Sequence, residues 1–397
     1  MQKSYLYCKL VLIAAVVTGF YGCKRVNGIN NNTVIETPYS LYFSDTSGIL
    51  YNSNDGINRV TIFPADGSPS RAICISGNNI LWAKKLLLYS LNNGKAFNHA
   101  FDSLQSITRT ACNGLLLNHN QSMIIDIPDW NRVFTVTGVV HNPPGGVYDY
   151  LGVEYSNNHG VPGSWACDGS YDTNGRVGYM PVNMISYTRL SNGVLAGLAL
   201  NRNLNSSGVL DTIHFRNFYK TCPAYDDYNC RWFETTGSGI GAPGDTTGVP
   251  LPPNRTDTMP GFFTLGHYNN RLIAIDQMCY NGAWYSDDTG RTWSKYPGLP
   301  ANIPLLCIAS PFEQVCLIGT YGAGLYILNV NTQSFQQNNN GLGKNLIVRS
   351  IAFKENIYKN GVKKRYIYLA TSNGIYQSSD DGINWVMTIP GNYVSVY

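Results

Sequence analysis

An eight-residue box occurs twice in the C-terminal part of the chain, as SDDTGRTW at Ser286 to Trp293 and as SSDDGINW at Ser378 to Trp385. Both fit the order Ser, any, Asp, any, Gly, any, Thr or Asn, Trp. Each position has a physical reading. The carboxylate of Asp288 or Asp381 accepts backbone N–H bonds in a tight turn, Gly290 or Gly382 supplies a positive φ, and Trp293 or Trp385 packs the turn down. Ser286 and Ser379 open the two boxes, and Thr292 and Asn384 precede the tryptophans. A fainter copy, SNDGINR at Ser53 to Arg59, keeps Asp55, Gly56 and Asn58 but has Arg59 where the tryptophan should be. SDTSGILYNSNDGINRVTIF from Ser44 also aligns with ATSNGIYQSSDDGINWVMTI from Ala370, so first and last units are close relatives. Self-similarity at a period of tens of residues marks a repeat architecture and constrains the fold more than composition does.

The pattern resembles the Asp-box, or BNR repeat, of sialidases, sortilin-like receptors and many secreted propellers, and the resemblance implies a β-propeller. Weaker units fill the gaps: YSLNNGKAF from Tyr89, YSNNHGVPGSW from Tyr155, a stretch around His214 to Trp232, and LYILNVNTQSF from Leu325. Together they recur about every 50 residues, the spacing of four-stranded blades. The expectation is an all-β chain, a single β-propeller of about seven four-stranded blades over residues 39–397. Six or eight blades stay open, because two of the presumed units have no box. Runs rich in Val, Ile, Tyr and Thr, such as Val133 to Val140, Arg271 to Asp276 and Tyr366 to Thr371, read as strands. A β-sandwich array or a β-helix is the competing repeat reading. Residues 237–261 are rich in Gly, Pro and Thr, cannot bury a core, and read as a long exposed insertion loop.

Lys3 and Lys9 precede an apolar run, Leu10 to Phe20, too short for a comfortable membrane span, and Gly22 stands directly before Cys23. Residues 1–22 resemble a bacterial lipoprotein signal, which implies that Cys23 is lipidated and anchors the chain in a membrane. Ordinary cleaved secretion and a retained anchor are the alternatives, and in each case the propeller leaves the cytoplasm. Residues 23–38, polar and Asn-rich, read as a flexible tether to a first strand near Tyr39. Acidic residues just after the cysteine resemble the surface-export signal of some Bacteroidetes lipoproteins. Here Lys24 and Arg25 take that place, which favours the periplasmic side of an outer membrane over the cell surface. Triplets starting at Asp102, Asp211, Asp245 and Asp257 resemble the O-glycosylation acceptor of that phylum.

Eight cysteines follow Cys23, and an even number outside the cytoplasm suggests disulfides. Cys222 and Cys230 enclose CPAYDDYNC, and Cys307 and Cys316 flank a hairpin turn containing Pro311, so these are the preferred pairs. Free thiols acting as small hydrophobes are the alternative. No cofactor is expected. Asp226 with Asp227, and Asp168 with Asp172, offer an acid pair or a weak calcium site, but the full calcium-loop spacing and its closing Glu are missing, and turn formation is the simpler role. Part of the formal charge of +4 lies in the signal and tether, and no basic stripe interleaved with aromatics follows, so nucleic acid is not an expected partner. The one basic cluster, KNGVKKRY at Lys359 to Tyr366, reads as a solvated hairpin turn.

In sialidases the boxes lie at blade peripheries, away from the catalytic face, so they report fold and not activity. That activity needs an arginine trio clamping a carboxylate, an Arg-Ile-Pro-like motif, an Asp acid and a Tyr activated by Glu. No such tripeptide occurs, and Arg71, Arg132, Arg176, Arg189, Arg216, Arg271 and Arg349 are scattered without a local pattern selecting three. Glutamates are sparse, the histidines are spread singly, and no metalloprotease, nucleophile-elbow or phosphate-loop motif is found. The expected role is a non-catalytic propeller presenting a face to a glycan or an envelope protein. The alternative is a glycan-active hydrolase or lyase, which a funnel cluster of carboxylates and arginines would favour, whereas an aromatic, Asn-rich face would favour binding.

Overall fold

The computed structural model describes residues 35–37, 40–68, 70, 72–84, 87–99, 124–127, 130–141, 148–167, 184–204, 210–221, 232–235, 249–250, 263–277, 282–300, 303–312 and 314–397. They are all-β, with no helix among them, and form a β-propeller of antiparallel sheets. Two compact units are present.

The smaller unit joins β1 (Ile35–Thr37) to the segment Glu355–Arg365. The larger unit holds the propeller. Its first sheet contains β2 (Leu41–Asp45), β3 (Leu50–Ser53) and β4 (Val60–Phe63). The second runs β5 (Ala72–Ser76), β6 (Asn79–Ala83), β7 (Leu87–Ser90) and β8 (Asn98–His99), and the third β9 (Ile124–Ile127), β10 (Arg132–His141), β11 (Tyr148–Ser156) and β12 (Trp165–Cys167). The fourth holds β13 (Met184–Arg189), β14 (Leu195–Leu204), β15 (Leu210–Lys220) and β16 (Phe233–Glu234), with β17 (Val249–Pro250) added on β15. The fifth comprises β18 (Phe263–Tyr268), β19 (Arg271–Asp276), β20 (Ala283–Ser286) and β21 (Ser294–Lys295), and the sixth β22 (Leu305–Phe312), β23 (Val315–Thr320), β24 (Leu325–Asn329) and β25 (Ser334–Gln337). The last is built on β26 (Val348–Tyr358), β27 (Lys363–Thr371), β28 (Gly374–Ser378) and β29 (Val386–Pro390). The final strand, β30 (Tyr393–Val396), returns to pair with β2, so the C-terminal strand completes the first sheet. That closure joins the two ends of the repeat array and removes an exposed edge.

The strand expectations at 133–140, 271–276 and 366–371 fall in β10, β19 and β27. The core lies between successive sheets. Leu50 packs with Ile80 and Trp82 between the first two, Ile273 and Ile275 with Ile318 between fifth and sixth, and Leu317 with Val348 and Leu369 between sixth and seventh. The second strand of a sheet therefore has to be apolar on both faces. β23 shows this, with all six residues of VCLIGT buried and successive side chains sent to opposite neighbours.

That alternation overturns the expected Cys307–Cys316 bridge. Both are free thiols. Cys307 lies opposite Gly319 and turns toward the last sheet, where its Sγ donates to the Val348 carbonyl at 3.6 Å, whereas Cys316 belongs to the cluster between the fifth and sixth sheets. Side chains on opposite faces of a sheet cannot reach the Cβ separation a disulfide needs. Two further expectations are corrected. Ile35 and Thr37, placed in the tether, pair with Tyr358 and Ile357, and Val249 and Pro250, placed in the exposed loop, pair with Ile213 and Thr212. Cys23, Cys222, Cys230, Asp168, Asp172, Asp226 and Asp227 lie outside the described residues.

Candidate functional site

In a four-stranded up-and-down sheet the turns joining second to third strand, and the crossings to the next sheet, share one end. The turns joining third to fourth strand lie at the other. The boxes occupy the second of these ends. In SDDTGRTW, Ser286 Oγ donates to Asp288 Oδ1 at 2.7 Å and accepts the Gly290 N–H at 2.8 Å. Asp288 also accepts the Thr292 N–H at 2.8 Å and its hydroxyl at 2.7 Å, and the Trp293 indole N–H donates to the Gly290 carbonyl at 3.0 Å. The turn is closed by side chains because its backbone groups cannot all pair with each other.

The C-terminal box repeats the serine and aspartate bonds in a frame one residue earlier than expected, while the buried Trp385 indole N–H has no acceptor among the described residues. Ser378, not Ser379, donates to Asp380 at 2.7 Å and accepts the Gly382 N–H at 2.9 Å, and Asp380, not Asp381, accepts the Asn384 N–H at 3.0 Å. Asp381 is instead the residue at φ 58°, matched by Thr289 at 57°, His159 at 50° and Asn93 at 56° in the corresponding turns. Asp tolerates that left-handed conformation better than most side chains, so the second aspartate is a backbone choice. In the first unit, Asp55 Oδ1 accepts the N–H groups of Ile57 and Asn58, each at 2.8 Å, in a turn one residue shorter. Two further turns use other residue types: Asn92 takes the aspartate's place and accepts the Ala96 N–H at 3.0 Å, while Ser156 accepts the Gly160 N–H at 2.9 Å in a longer turn.

The Asp55 carboxyl is held at about 2, first by the Ile57 N–H and against a burial cost, with the Asn58 side chain and N–H adding to it. At Asp288 and Asp380 burial raises the pKa, but the hydrogen bonds from Thr292 and Asn384 outweigh it and the net shift is downward. These carboxylates are acceptors in use.

Each box also seats on the sheet before it. A Cβ on Gly290 would stand 2.8 Å from Asn217, one on Gly160 2.4 Å from Leu81, and one on Gly56 2.4 Å from the Tyr368 hydroxyl. The glycines therefore serve both the turn and the close approach. Arginines stiffen the same end. Arg132 lies 4.1 Å over Tyr155 and Arg271 4.4 Å over Tyr285, each tyrosine directly preceding a box serine. Arg271 is also paired with Asp287 at 2.7 Å, and this hydrogen bond raises its pKa beyond the ordinary arginine value.

The opposite end is built differently. Thr371 Oγ1 donates to the Gly374 carbonyl at 2.7 Å, Thr320 Oγ1 makes the same bond to Gly324 at 2.8 Å, and Asp45 Oδ1 accepts the N–H groups of Ser47 and Ile49 at 3.0 Å. Between the first two sheets Lys84, 3% exposed, pairs with Asp66 at 2.5 Å and lies 4.3 Å over Trp82. This ion pair is structural.

Between the sixth and last sheets the groups are open. Tyr321, following β23, is 58% exposed. Arg349, near the start of β26, donates through Nη1 to Asn392 Oδ1 and to the Tyr393 carbonyl, both at 2.8 Å. Its Nε and Nη2 have no hydrogen-bond partner among the described residues. Burial pulls the Arg349 pKa down, while the nearby Tyr321 phenol acts in the other direction. Asn373, Asn345 and Asn392 are exposed around them. An exposed aromatic ring, a guanidinium fixed by one nitrogen and several amides form a stacking and hydrogen-bonding surface.

Of the seven scattered arginines, Arg349 is at this end, Arg132 and Arg271 hold box turns, Arg189 lies 5.7 Å from the Trp130 ring, and Arg71 and Arg176 lie outside the described residues, as does the Arg216 side chain. The Asp55, Asp66, Asp287, Asp288, Asp380 and Glu355 carboxylates are each held by a turn or an ion pair. No group of three potential metal ligands occurs among the described residues. His159 and His267 bond to the hydroxyls of Ser76 and Thr188 at 2.8 and 3.0 Å, and burial lowers the His267 pKa. In the sequence Arg349 is one of seven arginines with no distinguishing context and Tyr321 is not among the candidate residues; its signal is GTYGAGLY at Gly319 to Tyr326, where a tyrosine occupies a turn.

The sequence matches no family model and no curated protein. Its structure is similar to the extracellular domain of a putative hybrid two component system from B. thetaiotaomicron, at 13% identity and a TM-score of 0.43, covering 88% of this chain and 35% of that one. The chain thus spans about a third of that relative. It is also similar to YCF48 bound to D1 peptide, at 11% identity and a TM-score of 0.45 over 84% of this chain and 93% of that one, and to Trypanosoma rangeli sialidase, at 11% identity and a TM-score of 0.38 over 88% and 59%.

Proposed function

We propose that this chain is an exported, lipid-anchored Asp-box propeller, its seven sheets forming the blades of one ring, which binds a glycan through the end opposite the boxes without transforming it. The carrying observation is the open surface made by Tyr321, Arg349 and Asn392. A pyranose ring offers a C–H face for the tyrosine and hydroxyls for the guanidinium and amides. Anchorage at Cys23 on the periplasmic side of an outer membrane fits the apolar run and the Gly22–Cys23 pair in the sequence. Support for a binding role over hydrolysis comes from the Asp55, Asp66, Asp287, Asp288, Asp380 and Glu355 carboxylates, each held by a turn or an ion pair.

The test is a glycan array and a hydrolysis screen on sialosides and β-glucans with the full chain and its Tyr321→Ala and Arg349→Ala variants. Binding that falls at least tenfold in both variants, with no turnover, is expected. Turnover, or binding indifferent to both changes, would refute the reading.

A further inference from the structure

The hairpin tip between β26 and β27 carries Lys359, Lys363, Lys364 and Arg365, and Glu355 pairs with Lys363 at 3.2 Å and with Arg365 at 3.3 Å. All four cations are exposed, and so is Val362, at 53%. The turn itself is ordered, with the Tyr358 N–H donating to the Val362 carbonyl at 2.9 Å and Gly361 at φ 80°.

The position of β1 gives the tip a destination. Ile35 pairs with Tyr358 and Thr37 with Ile357, antiparallel, so the N-terminal end of β1 is the end nearer the tip. Residues 24–34 then separate β1 from Cys23. These eleven residues span at most roughly 40 Å. Whatever holds Cys23 therefore holds the basic tip close by.

We propose that the tip is a second membrane contact, in which Lys359, Lys363 and Lys364 bind the phosphates of anionic phospholipids and Val362 enters the headgroup layer. The proposal rests on the anchor reading for its geometry. The anchor fixes the chain to the membrane surface, and a basic patch beside it adds electrostatic attraction to anionic headgroups, which is the role the tip would play. Removing one lysine is expected to weaken the contact about fivefold at low salt.

Full-length protein would be reconstituted in phosphatidylcholine vesicles with and without phosphatidylglycerol, and amide exchange followed at Gly361 to Lys364. Slowed exchange only with phosphatidylglycerol, lost at high salt and in Lys359→Ala/Lys364→Ala protein of unchanged melting temperature, is the expected result. Equal exchange on both vesicles would overturn the proposal. Intact mass reports the anchor separately. If Cys23 is unmodified the anchor reading fails, and exchange of the chain mixed with the same vesicles still decides the tip by the same two outcomes.

Discussion

Asp380 and Asp381 are adjacent and chemically identical, yet they do unrelated work. Asp380 accepts three hydrogen bonds that close a turn, and Asp381 occupies a left-handed backbone position. Asp380→Ala is expected to cost about 1–3 kcal/mol by stranding turn donors, and Asp381→Asn less than about 0.5 kcal/mol, read by urea denaturation. The reverse order would restore the later frame. The same carboxylates give stability a pH dependence. A folded pKa below the unfolded value near 3.9 contributes stability that is present above about pH 4 and is lost as pH falls through the folded value. With Asp55 held at about 2 and Asp288 and Asp380 lowered, the melting temperature should fall steadily from pH 4 to pH 2. A flat profile there would mean the carboxylates are not holding the turns. The frame was readable by counting back from Trp385 as from Trp293. The ungapped match of first and last units hid it, because the first unit is one residue longer between Asp45 and Ser53 than between Thr371 and Ser378, and one shorter inside its box.

At the scale of the element, a box is a turn joined to the neighbouring sheet. Gly160→Ala and Gly290→Ala meet both a left-handed backbone and a Cβ contact under 3 Å, whereas a Cβ at Gly361 meets open space. Gly361→Ala should cost about 1–2 kcal/mol, the backbone penalty alone, and the two box variants clearly more, by the same denaturation measurement. Equal costs would show that the boxes do not seat on the sheets before them. The cysteines lie on this scale too. Burial pushes the Cys307 and Cys316 thiols up to about 12, so neither should react with a thiol reagent before unfolding, and intact mass should show no bridge between them. Strands were legible as alternating or apolar runs between turn residues. The faces of Cys307 and Cys316 were not, since they depend on a register broken between Ala309 and Phe312.

On the scale of the whole molecule, the repeat made the propeller legible, because two boxes and their weak relatives imply a recurring four-stranded unit. The proposed binding end was not legible: Tyr321, Arg349 and Asn392 come from a turn, a strand start and a crossing between strands, and only the fold brings them together. The molecule has a box end that holds sheets together and an opposite end proposed to meet the ligand. The most direct test compares Arg349→Ala with Asp288→Ala in glycan binding and thermal unfolding, at a temperature where both remain folded. Arg349→Ala should lose binding with a smaller drop in melting temperature than Asp288→Ala, which should keep binding intact; the opposite pattern would contradict the division.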